Sequence, residues 1–491
     1  MKYANSLVGI VILIMVGFSG HLFAADDDFF NQQEIDVNGT ILGSREGDFN
    51  GDGRTDLAFF INEDFGQRSI LVFIQRESGR FPPGPSQKIL LSASVNMAQC
   101  ADLNTDGKTE IHIIDSEGMW VFEYDSNGFR DQPRHTAQVA TVFIGGIKNR
   151  ILSHEFIYSL PDKNIALMPV MDGYEVWTYS GNKFSRSSRL DFSHDIQAAE
   201  SSIKLFVSSP VVYSFTFPKI YSGDSNGDSR YDIYLLWPDR LQIFTQGSNG
   251  EFDNQVSTQY RFRELTHDNI CQAAMADVNN DGYLDLISCQ SKGGLSEAET
   301  EVSLYDASLL RSGNVNPTQS ISLTDICGNL IIDNFDNRIG LELVIPAIEL
   351  GIMSTVKKMI SNKTDLHLLI YPIDNLGRLP DDPEVRRKIT CRLDFDRANP
   401  VGGFRLDWSA DFTGDGLPDL ITADGGSQLL FYSGSTEEYL EGRAFLVIDI
   451  TDPDILKPVR LNNDNRADLM IIHYPNGGIN RVTLFITNSV G

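Results

Sequence analysis

Five stretches of the chain place oxygen-bearing side chains at alternate positions within nine residues, each beginning on an aspartate. They are Asp48, Asn50, Asp52 and Asp56; Asp102, Asn104, Asp106 and Glu110; Asp224, Asn226, Asp228 and Asp232; Asp277, Asn279, Asp281 and Asp285; and Asp411, Thr413, Asp415 and Asp419. A hard divalent cation such as Ca²⁺ takes six to eight oxygens in flexible geometry, and alternate side chains of a tight turn converge on one point. The carbonyl of position 7 is expected to add a ligand, at Arg54, Lys108, Arg230, Tyr283 and Leu417. Self-repulsion among so many carboxylates is tolerable when a cation sits among them. About five structural Ca²⁺ sites are therefore expected.

The copies differ. Gly53 at position 6 lets the first turn reverse, whereas Ser229 occupies that position in the 224 loop and is strained if it needs positive φ. Thr413 offers a neutral hydroxyl, a weaker ligand than an amide carbonyl. Two degenerate copies, NFDNRIGLEL from 334 and RLNNDNRADL from 460, are expected to hold no ion. Arg338 stands at position 5 of the first. Arg460 stands at position 1 of the second, where its charge is expected to replace the cation.

An EF-hand begins with the same residues but needs a bidentate Glu at position 12 and flanking helices. Position 12 here is Phe59, Ile113, Leu235, Ser288 and Thr422, and the flanks alternate as strands do. Each loop is instead followed by a short apolar strand, a turn, a second strand and a Gly-x-Phe-like turn, as in SILVFIQRESGRF and LQIFTQGSNGEF. A unit without the acidic loop, Asn164 to Phe184, aligns strand for strand. With loop starts at 48, 102, about 156, 224, 277, 334, 411 and 460, the spacings run from 49 to 77 residues. Such periods, with four short strands each, predict an all-β propeller of antiparallel blades rather than a helical solenoid, with eight blades favoured and seven if one degenerate loop is spurious. After the last loop only LMIIHY and VTLFIT remain, so EIDVNG (34–39) is expected to supply the missing outer strand and close the ring.

The repeated D-x-N-x-D-G-x-x-D loop before an apolar strand resembles the FG-GAP/VCBS family, the blades of integrin alpha-subunit heads and of many secreted bacterial proteins. The resemblance spans essentially the whole chain after its N-terminal segment. It implies a calcium-bearing propeller, and far less a biological role. It also implies that loops joining the second and third strands lie on the face that carries the ligand in integrin heads. Two such loops are enlarged, 290–301 and 347–365. The second mixes Ile352, Met353, Val356, Met359 and Ile360 with Lys357 and Lys358 at a spacing that suits a short amphipathic helix.

Bulk properties narrow the function classes. The chain has 491 residues and a formal net charge of −27. This acidity argues against nucleic acid or an anionic membrane as partner. The five strong loops carry three formal negative charges each, fifteen in all, so most of the excess is accounted for by metal cages. Lys2, an apolar stretch from Leu7 to Phe18 and then LFAAD form the layout of a secretory signal peptide, with cleavage beside Ala24 or Ala25. A single propeller over 26–491 and a secreted, periplasmic or cell-surface location follow as expectations. There are five cysteines, an odd number for an oxidising compartment, and Cys271 and Cys289 flank one acidic loop closely enough to suggest a disulfide.

Catalytic patterns are thin. Gly223 to Gly227 matches the GxSxG elbow, but that motif needs a strand-to-helix turn, and Ser225 is position 2 of an acidic loop. The clusters around Trp120, Trp177 and Trp237 are read as blade core. The expected function is a binding or adhesion module for a protein or glycan. The alternatives are a carbohydrate-active enzyme such as a polysaccharide lyase, which needs a basic cluster at its site, and a structural subunit of a cell-surface assembly.

Overall fold

The structure is a computed structural model. It describes residues 29–488 apart from 64–65, 144, 146–149, 201–210, 264–269, 293–298, 312–315, 329, 339, 349–362, 393–405, 424–427, 435–442, 451–454 and 474–478. The expected signal peptide and the 352–360 amphipathic segment lie outside the described residues.

LAFFI at 57–61 is a continuous apolar run because both faces of its strand are covered. Leu57, Phe59 and Ile61 point to one neighbouring blade, while Ala58 and Phe60 point to the other. All five residues are buried, as expected of a strand packed on both sides. The same two-sided burial recurs in the second strand of every blade, and eight apolar clusters fill the seams between consecutive blades. The last of these joins the eighth blade to the first. The fold is thus a closed eight-bladed β-propeller of four-stranded antiparallel sheets.

Blades 1 to 3 begin with strands Thr40–Gly47, Met97–Ala101 and Ile157–Ser159, and blades 4 and 5 with Lys219–Gly223 and Ile270–Ala276. The first strand of blade 6 is split into Ile326–Cys327 and Ile331–Asp333, both paired with Glu342–Ile348. Blades 7 and 8 begin with Leu406–Ala410 and Ile455–Val459. Helix is confined to Ala307–Arg311 among the described residues. A two-stranded extension, Asp195–Glu200 with Val211–Thr216, separates blades 3 and 4.

Closure works as the sequence predicts. Phe30–Asn38 runs antiparallel to Ile479–Thr487 as the outer strand of blade 8, with Ile35 opposite Val482 and Val37 opposite Asn480. The disulfide expected between Cys271 and Cys289 is corrected. Cys271 lies opposite Gln290, so Cys289 is one residue out of register and its side chain leaves the opposite face of the sheet. Both are free thiols. Of the tryptophans read as core, Trp237 is buried, while Trp120 and Trp177 are half-buried against the blade 1–2 and 2–3 seams.

Candidate metal loops

Every acidic loop joins the first and second strands of its blade, so all of them open at one end of the ring. Neighbouring loops touch: the Thr109 N–H donates to the Asp48 carbonyl at 2.7 Å, and the Ala467 N–H to that of Asp411 at 2.6 Å.

Within each loop the oxygens are organised by backbone N–H groups. Asp48 Oδ1 accepts from Gly51 and Asp52 at 2.8 and 3.0 Å, and Oδ2 from Gly53 at 2.7 Å. Asp277 and Asp411 repeat this at 2.9 and 2.8 Å through Gly282 and Gly416, and Asp102 at 3.0 Å through Gly107. Burial pushes the Asp224 carboxyl up, but the N–H groups of Ser229, Gly227, Asn226 and Asp228 outweigh it and hold it below the usual carboxylate range. At position 3 the amide oxygens of Asn50, Asn104, Asn226 and Asn279 each accept the N–H of position 5, at 2.8–2.9 Å. At position 5, Asp52, Asp106, Asp228, Asp281 and Asp415 accept the N–H of position 7, at 2.9–3.0 Å. Thr413 instead donates its hydroxyl to Asp411 at 3.3 Å.

Two left-handed residues shape the turn. Position 6 has φ of +81° at Gly53, and Ser229 adopts +63° there, the strained geometry its sequence implied. Position 4 is left-handed too, at Gly51, Thr105, Gly227, Asn280 and Gly414. Sequence reading passed over that position, although Gly or Asn fills it in four of the five copies.

Position 9 is where the structure adds most. Its carboxylate is buried, and in four of the five strong loops it brackets the loop to the rest of the blade, while Glu110 accepts from Leu103 within its own loop at 3.1 Å. Asp56 Oδ2 accepts the N–H of Phe49 at 3.0 Å, and Oδ1 that of Gln75, just past the third strand, at 2.8 Å. Asp232 does the same with Ser225 and Gln246, Asp285 with Val278 and Ala307, and Asp419 with Phe412 and Gly434. The Ser225 hydroxyl also donates to Asp232, so the serine of the GxSxG match is a turn residue. The full bracket persists in the 460 loop, where Asp468 accepts from Leu461 at 2.5 Å and Thr487 at 2.7 Å, and its turn-side half in the 334 loop, where Glu342 accepts from Phe335 at 2.7 Å. Position 2 is a buried apolar plug in six of these seven loops: Phe49, Leu103, Val278, Phe335, Phe412 and Leu461. Positions 2 and 9 are therefore fold elements whether or not an ion is held, and both sequence signals were available.

Burial raises these carboxyls, Asp56 to about 7 and Asp285 and Asp419 to about 6, with Glu342 at about 7. Asp232 and Asp468 shift the same way for the same reason. Replacing Asp468 by Ala leaves the buried N–H groups of Leu461 and Thr487 without their acceptor. A loss of about 3 kcal/mol is expected, read from the urea midpoint, with unchanged metal content.

The donor set suits Ca²⁺ best in the 102 loop. Glu110 is one methylene longer than aspartate, and it reaches Asp102 and Asp106 so that one oxygen of each lies within 4.8 Å of the others. Ligands at 2.3–2.6 Å from one ion fit that spread. Among the described residues it is the one acidic, His or Cys group so gathered. Arg54 and Arg230, at position 7, lay their guanidinium groups on Asp52 and Asp228, so an ion in those loops displaces an existing ion pair. In the 334 loop Arg338 lies 3.3 Å from Asp336. Arg460 forms no ion pair with the carboxylates of its own loop among the described residues, and Asp464 receives Asn462 instead.

A model of the FG-GAP-like repeat matches residues 48–113 and 224–288, each span taking in two successive acidic loops. Among solved structures the chain is similar to an Agrocybe aegerita lectin with specific recognition of non-reducing terminal N-acetylglucosamine, at 13% identity and a TM-score of 0.36 over 86% of this chain and 90% of that one. It is also similar to the V. cholerae biofilm matrix protein Bap1, at 12% identity and a TM-score of 0.40 over 93% and 91%. Overlaps this loose say nothing about a ligand. No curated protein sequence matches the chain significantly.

Proposed function

Because the chain is an FG-GAP-repeat β-propeller, we propose that it works as an exported, calcium-stabilised binding module for a protein or glycan. The position-9 bracket carries this reading. It ties four of the five strong loops to the exit of the third strand, so an ion held in such a loop stabilises a whole blade. Asp48, Asn50, Asp52, Asp56 and the Arg54 carbonyl would hold the first ion, with the corresponding residues of the 102, 224, 277 and 411 loops, Glu110 among them, holding the others. Calcium in this role supplies rigidity rather than chemistry. Binding is assigned to the opposite end of the ring, where the loops between second and third strands emerge. Among the described residues no helix is long and apolar enough to cross a membrane.

Two measurements test the proposal. Metal analysis of Asp102→Ala is expected to show about one ion fewer than the parent, and Asn337→Ala no change; equal counts in all three refute the cage. A glycan array and a pull-down with calcium-loaded protein are expected to give a saturable ligand. Unsaturated products released from uronic-acid polysaccharides would instead make the chain a lyase.

A further inference from the structure

Two thiols meet across the seam between blades 5 and 6. Cys289 lies on the second strand of blade 5, Asp285–Lys292, and Cys327 on the first strand of blade 6. Both are buried, at 2% and 3% exposure, in one apolar cluster with Ile287, Val302 and Ala347. Strand alternation sends Ile287, Cys289 and Ser291 toward blade 6. The Cys327 N–H confirms the placement by donating to Ser291 Oγ at 3.2 Å, two residues along the same face. Interaction between the two thiols pushes Cys289 up and pulls Cys327 down against its burial, and the Cys327 thiol donates to the Asp325 carbonyl at 3.9 Å.

We propose that Cys289 and Cys327 are a redox pair that closes into an inter-blade disulfide when the chain folds in the presence of a disulfide oxidant. Cys327 loses its proton to solvent, and its thiolate attacks one sulfur of the oxidant's disulfide, expelling a thiolate. Cys289 then loses its proton and attacks Cys327 Sγ in the mixed disulfide, expelling the second thiolate. Two protein thiols become one disulfide, and the oxidant's disulfide becomes two thiols. Burial places this reaction during folding, before the seam packs.

The cross-link would join chain segments 38 residues apart and sit at the roots of two loops. Cys327 pairs with Ala347, one residue before the end of the strand leading into 349–362, and Cys289 lies three residues before the end of the strand leading into 293–298.

The test uses the full-length chain produced in an oxidising secretory compartment and, separately, in a reducing cytoplasm. Each sample is denatured in excess alkylating agent and peptide-mapped. The oxidised sample is expected to yield a 289–327 cross-linked peptide, and the reduced sample alkylated Cys289 and Cys327. The oxidised protein should melt about 4 °C higher, a difference that vanishes in Cys289→Ala. Alkylation of both residues in the oxidised sample overturns the proposal, as does a cross-link from Cys289 to Cys271.

Discussion

Adding a chelator to the purified protein is expected to lower its melting temperature by on the order of 10 °C. At a hundredfold excess of calcium over Kd, linkage contributes about 2.7 kcal/mol per site, or about 13 kcal/mol over the five proposed sites. A chain of this length has an unfolding entropy that turns such a change into a shift of that order. Recovery on adding back calcium, followed by calorimetry, checks the assignment. An unchanged melting curve would refute it.

The same experiment has a pH dependence with a definite sign. Without cation, burial raises Asp56 from 3.8 to about 7 and Asp285 and Asp419 from 3.8 to about 6. The fold then favours the neutral carboxyls. That contribution is complete below the ordinary value of 3.8 and is lost as pH rises through 6 and 7. Metal-free protein should therefore lose stability between about pH 4 and 7. Calcium favours the charged form, so its apparent affinity should rise over that window with release of protons. Calorimetric titrations in buffers of different ionisation enthalpy check this.

Truncating the chain to begin at Gly39 is expected to destroy the closed ring. The deletion removes Phe30, Ile35 and Val37, which are buried in the two seams flanking blade 8. Their burial alone is worth about 6 kcal/mol, comparable to the whole stability of many domains. It also exposes Ile479–Thr487 as an unpaired edge, a template for pairing between copies. Size-exclusion chromatography should show oligomers, and the melting transition should broaden. A monomer with an unchanged midpoint would mean that the outer strand does not close the ring. A peptide of residues 29–38 added in trans should restore part of the loss by strand addition.

The propeller, its eight blades and its closure by the segment holding EIDVNG were legible from repeated local patterns, although the strand begins earlier than that segment, at Phe30. Cys271 and Cys289 show where that legibility stopped. Sequence proximity brought them to adjacent strands, but a one-residue register difference sent them to opposite faces. Asp56 and its counterparts were legible as ligand types. That their two oxygens also reach the turn and the third strand required knowing where Gln75, Gln246 and Gly434 come to lie.

What the sequence determined by itself is everything contained in nine contiguous residues and their neighbouring strands: the oxygen spacing, the left-handed turn positions and the two-sided apolar runs. Tertiary structure alone decided which groups meet across strands and seams, namely the third-strand arm of the position-9 brackets and the meeting of Cys289 with Cys327. The physical reason is range. Backbone dihedrals and side-chain alternation are set residue by residue, whereas register and blade packing are set by the whole closed ring.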